Sequence, residues 1–197
     1  MMGVSYSGDA EADKLEMIVS ATAGLDLQEI AGPETTRSAA VKGDFVAASN
    51  APTTKLVSDL ETVLREDRQT AAITLTLGSV EREVFVATGA FEPTAVPGLP
   101  GEKIAIYAVS KPSVWNGGGG GNVDSLLKTV GDFTGVQVID GTRSGSVQTA
   151  WVYEASQRRR AGPLEVSQVF ENVARQTGFS FRKERRRVRV LEMRKGD

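Results

Sequence analysis

Neither cysteine nor histidine occurs in the 197 residues of this chain. The first absence removes disulfides, thiolate nucleophiles and zinc–thiolate sites, although cysteine-free chains exist in every compartment and location stays open. The second removes the commonest general base and the commonest metal ligand, and with them serine–histidine and zinc-hydrolase chemistry as usually built. Carboxylate pairs, lysine bases and metals on oxygen ligands remain. No apolar run approaches the ~20 residues that cross a bilayer; the longest, Leu15 to Leu27, is broken by Glu16, Ser20, Thr22 and Asp26. The opening Met-Met-Gly-Val-Ser-Tyr-Ser-Gly-Asp has neither the basic flank nor the apolar core of a signal peptide. Membrane attachment is therefore expected only through a segment outside this sequence.

What is present is ordinary for a folded protein: 40% hydrophobic and 24% charged residues. The length suits one domain or two small ones and can bury a core without metal or disulfide staples. The net charge of −2 hides an asymmetry. Residues 158–197 hold twelve Lys/Arg against five Asp/Glu, whereas residues 1–157 hold eleven against twenty. An acidic body with a basic end is the main electrostatic feature.

One pattern recurs, an amphipathic helix followed by two strand-like runs. Leu15, Ile18, Val19 and Thr22 fall at helical spacing; Leu25–Ile30 and Ala39–Ala47 then read as extended. Leu56, Leu60, Val63 and Leu64 mark a second helix, followed by Ala72–Leu77, a turn at Gly78-Ser79, and Val84–Ala87. Ile104–Val109 adds a strand. Val123, Leu126, Leu127 and Val130 mark a third helix, with Val136–Ile139 and Val147–Tyr153 behind it. Val166, Val169, Phe170 and Val173 mark a fourth, followed by Phe179–Phe181 and Val188–Met193 as a hairpin. Glycines after the helices suit left-handed caps.

The expected fold is α+β, with repeated helix-strand-strand units forming antiparallel or mixed sheets and helices packed on one face. Helices are predicted near 12–23, 53–67, 122–133 and 164–176. The five glycines of Asn116–Gly121 read as a flexible linker. They set an expected division into an N-terminal lobe at 1–112, a linker at 113–121 and a C-terminal lobe at 122–197. Pro93–Glu102 reads as a loop.

Candidate sites are few. The glycine run precedes a helix start at Asn122-Val123-Asp124, where anions are favoured, but no Gly-Lys-Ser/Thr follows and Asp124 would repel a phosphate. Asp9, Glu11 and Asp13 imitate a calcium loop without its glycine or distal glutamate, and read as an acidic start to the first helix. Trp115 reads as an exposed anchor, and Trp151 with Tyr153 as core. Arg182, Lys183, Arg185, Arg186, Arg187 and Arg189 crowd the last hairpin, near Arg158, Arg159 and Arg160. With Val188 and Val190 facing the core, Arg187 and Arg189 fall on the exposed face. These six residues form the candidate partner-binding site; the bland alternative is a solvated edge whose charges block aggregation. No catalytic or metal-ligating set emerges.

Several segments together resemble a family of uncharacterised bacterial proteins, the soil-associated family, whose domain often sits beside membrane zinc peptidases of the β-lactam-sensor type. They are Ile30-Ala-Gly-Pro-Glu34, Gly43-Asp-Phe-Val-Ala47, Val63-Leu-Arg-Glu66, Glu83-Val-Phe-Val-Ala-Thr-Gly89, Val138-Ile-Asp-Gly-Thr142, Gly162-Pro163, Gln176-Thr-Gly178 and Arg187-Val-Arg-Val-Leu191. In order and spacing they cover most of the chain. Asp67-Arg-Gln69 departs from that family's pattern, and the interval between the halves is short and glycine-filled. The resemblance implies an extracytoplasmic domain and carries over no catalytic residue. Within residues 123–193, Leu126-Leu-Lys-Thr-Val-Gly-Asp-Phe-Thr-Gly-Val136 and Val169-Phe-Glu-Asn-Val-Ala-Arg-Gln-Thr-Gly-Phe179 resemble the short N-terminal domain of secretins and TonB-dependent receptors. Those small α/β modules bind other proteins in the periplasm.

The functional expectation is accordingly a non-catalytic, cofactor-free interaction module of the periplasm or cell envelope. Its expected partner is a protein or peptide, a second copy of this chain included. Two rival classes stand beside it: a small-ligand-binding or carboxylate-based enzyme domain, and polyanion binding through the C-terminal arginines. The acidic balance of the whole chain weighs against nucleic acid.

Overall fold

The computed structural model describes residues 3–6, 13–41, 45–48, 51–68, 70–96, 102–108, 110–155 and 163–196. Strands β1 (Gly3–Tyr6) and β2 (Asp13–Lys14) precede helix α1 (Leu15–Ala23). A 3-10 turn at Leu27–Glu29 leads to β3 (Ile30–Ala31), α2 (Glu34–Arg37), β4 (Ala40–Val41), β5 (Phe45–Ala48) and α3 (Thr53–Leu64). The long β6 (Ile73–Thr88) is followed by β7 (Lys103–Ile106), β8 (Gly117–Asn122) and α4 (Val123–Thr134). Then come β9 (Val138–Asp140), β10 (Gln148–Tyr153), α5 (Pro163–Thr177) and the long β11 (Ser180–Lys195). Helices combined with mixed sheets make the fold α+β, and the four expected helices lie where the apolar spacing put them.

The chain divides into two compact units, Met1–Glu81 with Arg187–Asp197, and Arg82–Arg186. This replaces the division expected at the glycine run. The boundaries fall inside β6 and β11, each of which runs unbroken for 16 residues. Both turns predicted there are absent. Gly78 is not among the positive-φ glycines, and Ser79 accepts a hydrogen bond from Arg187 Nε at 2.8 Å. Further along, Glu83 and Lys183 pair at 2.7 Å. Polar side chains on both strands thus meet where turn residues were expected, and the basic run is the middle of a strand rather than a hairpin tip.

In the first unit α1 buries Leu15, Ile18 and Val19 against Val57, Leu60 and Leu64 of α3. Ile73, Leu75, Leu191 and Met193 complete that core. Each helix buries a stripe at three- and four-residue spacing, which is what an amphipathic helix does with its apolar face. The expected strand at Leu25–Ile30 is instead a 3-10 turn, closed by a capping box between Asp26 and Glu29, with only Ile30–Ala31 extended. That short strand pairs parallel with Leu191 and Glu192. The strand expected over Ala39–Ala47 appears as β4 and β5, with 42–44 outside the described residues. β5 pairs antiparallel with β1, and β4 with β2. Asp13 is extended, not part of α1; Asp9 and Glu11 lie outside the described residues, as do Arg158, Arg159 and Arg160.

In the second unit α4 buries Val123, Leu126, Leu127, Val130 and Phe133, and α5 buries Val166, Val169, Phe170 and Val173, in one core with Ile104, Ile106 and Trp151. Gly135 and Gly178, at φ 76° each, end the two helices in the left-handed conformation. β9 lies parallel to β6 over Phe85–Ala87. β10 is the centre of a three-stranded sheet, parallel to β7 and antiparallel to β8.

β8 is the glycine run. The expected linker is a paired strand, in register from Gly117 opposite Tyr153 to Asn122 opposite Gln148. The glycines are there for closeness. A Cβ at Gly117 would stand 2.3 Å from the Tyr153 ring, and one at Gly118 only 2.5 Å from the Trp151 carbonyl oxygen. At Gly120 the nearest atom is the Thr149 carbonyl oxygen at 3.7 Å, so a methyl fits.

A flexible linker would accept any residue at these positions. Gly118→Val is expected to cost about 1–3 kcal/mol, the range for forcing atoms into a filled space. Gly120→Ala should be neutral or stabilising by up to about 1 kcal/mol, because it restricts the unfolded chain. Urea unfolding of the two variants checks this, and equal stabilities would return the run to a linker.

Candidate functional site

β11 carries all six basic residues of the candidate site between Arg182 and Arg189, interrupted by Glu184 and Val188. Val188 and Val190 are buried at 6% exposure each, and Arg187 and Arg189 are exposed, so the two-residue alternation read from the sequence holds in the first unit. Arg182, Lys183, Arg185 and Arg186 are exposed in the second unit.

Their partners differ in kind. Lys183 pairs with Glu83, with both side chains more than half exposed, and Arg186 Nε donates to Glu184 Oε2 at 2.8 Å. Exposed pairs of this sort are worth at most about 1 kcal/mol and exchange readily for another anion. Arg189 is bound differently. Its Nε and one terminal nitrogen donate to the two carboxylate oxygens of Glu29, at 3.0 Å each. Glu29 is buried, and its Oε2 also accepts from the backbone N–H of Asp26 at 2.9 Å.

The hydrogen bond to Glu29 raises the pKa of Arg189, partial burial opposes it, and the charges of Glu29 and Asp26 add to it. A cation with a raised pKa stabilises fully below its unfolded value and loses that contribution only as the pH rises through the folded one. For Arg189 that window lies far above neutrality, so its charge is constant in any physiological setting. Arg189 is therefore a structural cation of the first unit, and the second unit holds the residues more open to a partner.

Beside the second-unit part of β11 lies an open groove of about 240 Å³, lined by Phe85, Ser167, Phe170, Glu171, Ala174 and Phe181. The ring centroids of Phe85 and Phe170 stand 4.4 Å apart, and those of Phe170 and Phe181 4.7 Å. Phe85 and Phe181 remain half-exposed on the strands, while Phe170 is buried on α5. The sequence reading placed Phe170 on the apolar stripe of the fourth helix and Phe181 in a strand, and missed the groove. A signal was present: Ser167, Phe170, Glu171 and Ala174 share one face of α5, and two of the four are small, which leaves space over the neighbouring rings.

The strand edges of the second unit are not equivalent. α5 covers the outer edge of β7: Gln176 donates to the Ala105 carbonyl and accepts from its N–H, and Asn172 donates to the carbonyls of Tyr107 and Ala108. β11 is bordered by β6 on one side, and β3 reaches it only at Leu191 and Glu192. Over Ser180–Arg186 its other edge pairs with no strand among the described residues.

The remaining candidates resolve simply. Trp115 is half-buried and stands edge-on to Tyr107 at 6.4 Å, not as an exposed anchor. Trp151 is core, as expected, and the half-buried Tyr153 packs against that core. The N-terminus of α4 is capped by the Asn122 side chain, which accepts from the Ser125 N–H at 2.9 Å. Among the described residues no three acidic side chains group as a metal site. In comparisons with known proteins, no family model matches this chain, and no curated protein or solved structure matches it significantly.

Removing Arg189 strands a buried carboxylate, so Arg189→Ala should destabilise the first unit by about 2–3 kcal/mol, below the value for a fully buried pair because Arg189 is partly exposed. Arg186→Ala should change stability by less than about 1 kcal/mol. Chemical denaturation followed by circular dichroism measures both, and equal effects would contradict the assignment of Arg189 as structural.

Proposed function

We propose that this protein is a non-catalytic interaction module that recognises an acidic protein or peptide through β11. The observation that carries the reading is the set of exposed basic residues, Arg182, Lys183, Arg185 and Arg186, strung along one strand beside an aromatic groove. Opposed charge steers association and fixes its orientation, while a desolvated aromatic patch supplies affinity. Two features favour a protein partner over the other classes. The groove is smaller than the roughly 300–1,000 Å³ of ordinary small-molecule sites. Glu184 sits within the basic run and bonds Arg186, an arrangement that would repel a phosphate backbone but suits a polypeptide of mixed side chains. A cell-envelope location rests on the two sequence resemblances alone.

Peptide display against the whole chain tests the reading. Acidic sequences with at least one apolar residue should be enriched, and their binding should weaken between ~50 and ~500 mM salt as the Debye length shrinks. The variant K183E/R185E/R186E, which leaves the structural Arg189 in place, should stay folded and lose them. An empty selection, or the same sequences recovered on the variant, would overturn the proposal.

A further inference from the structure

Resting on that reading, we infer that the edge of β11 over Ser180–Arg186, which pairs with no strand among the described residues, binds an extended acidic peptide as an added strand, with one apolar side chain of the peptide seated in the Phe85–Phe170–Phe181 groove. A strand edge presents a row of unsatisfied N–H and C=O groups, and another chain satisfies them by pairing. Among the described residues, three of this unit's sheet edges, those of β7, β8 and β11, are treated in three ways. α5 closes β7 with the amides of Gln176 and Asn172. The edge of β8 is glycine from Gly117 to Gly121 and carries no side chain there to select a partner. The edge of β11 is open and carries four cations.

Those cations do two things at once. They repel a second basic edge and give nothing to a neutral strand, which is how natural edges avoid aggregation. An acidic strand reverses the sign of that barrier.

The two-residue period then specifies the peptide. Phe181, Lys183 and Arg185 share the face that carries the groove, and Arg182, Glu184 and Arg186 share the other. Same-face neighbours on paired strands stand about 4.5–5.5 Å apart at Cβ. The added strand therefore carries an apolar residue beside Phe181 and acids beside Lys183 and Arg185, with further acids beside Arg182 and Arg186. Lys183 is bound to Glu83 only through an exposed pair, so a peptide carboxylate can share it. Glu171 on the groove wall keeps acids off the apolar position itself.

The probe is a capped heptapeptide, Leu-Glu-Glu-Thr-Glu-Glu-Val, and its reversed sequence, since either strand direction can complete the edge. Affinity is read by calorimetry on the whole chain, and backbone pairing by amide hydrogen exchange. Binding should slow exchange within Ser180–Arg186. Methylating alternate backbone nitrogens of the peptide keeps every charge and side chain but removes donors, and should weaken binding about tenfold or more. Replacing the apolar end residues by serine, and filling the groove with Ala174→Leu, should each weaken binding severalfold, and together by less than the product of the two. The methylated and serine peptides need no protein variant, so they decide the matter even if Ala174→Leu lowers stability.

Equal affinity of the methylated peptide, or no effect of the serine exchange, would overturn strand addition and leave charge recognition standing. Failure of both peptides to bind while display returns other sequences would overturn this inference alone. Failure of the peptides together with an empty display would overturn the underlying reading.

Discussion

The side-chain amide of Gln176 donates to the carbonyl of Ala105 and accepts from its N–H, at 2.9 and 2.8 Å. An amide side chain reproduces what a neighbouring strand would offer, so a helix completes the edge of β7. Much of the second unit follows from this. Buried backbone groups cost free energy unless they are paired, and Ala105 is fully buried. The pairing holds α5 over β7, which brings Val169, Phe170 and Val173 into the core with Ile104 and Ile106. It also turns the Ser167–Ala174 face of α5 towards Phe85 and Phe181, and so creates the groove.

The arginines divide along similar lines. Arg37 binds the buried Glu16 at 2.9 Å, and Arg189 holds Glu29 with two hydrogen bonds. A guanidinium reaches such a carboxylate with a planar fork while its remaining surface stays in water. These two are parts of the first unit's framework. Arg182, Lys183, Arg185 and Arg186 are exposed, and Lys183 and Arg186 pair with partly exposed carboxylates. Residue type alone therefore says little about role here; the burial of the opposing carboxylate decides it.

Apolar periodicity identified the helices because each buries one continuous stripe: Leu15, Ile18 and Val19 in α1, or Val123, Leu126, Leu127 and Val130 in α4. The two long strands were harder to see. Alternation stops at Leu77 and resumes at Val84, and in β11 it stops at Phe181 and resumes at Val188. A strand whose middle is solvated on both faces has no apolar signal there, and polar runs read as turns. The basic character of the candidate site was plain from composition, whereas its strand geometry, the engagement of Arg189 by Glu29 and the groove depend on residues distant in the chain. The strand-facing amides of Asn172 and Gln176 on α5 were invisible for the same reason. The glycine run failed differently, because composition cannot tell a chain that needs freedom from one that needs thinness.

That thinness bears on how the protein can be cut. A glycine run invites a protease site, a tag or a truncation, and fragments begun just after it would look like tidy domains. Here the incision would detach β8 from β10 and separate β10 from β7, leaving Trp151 and Tyr153 with one side uncovered. A fragment of residues 122–197 would carry helices α4 and α5 without two of the three strands they fold around. Loop-like composition thus hides a seam that must stay intact, and a chain shortened at that point would be expected to aggregate through its newly bared sheet.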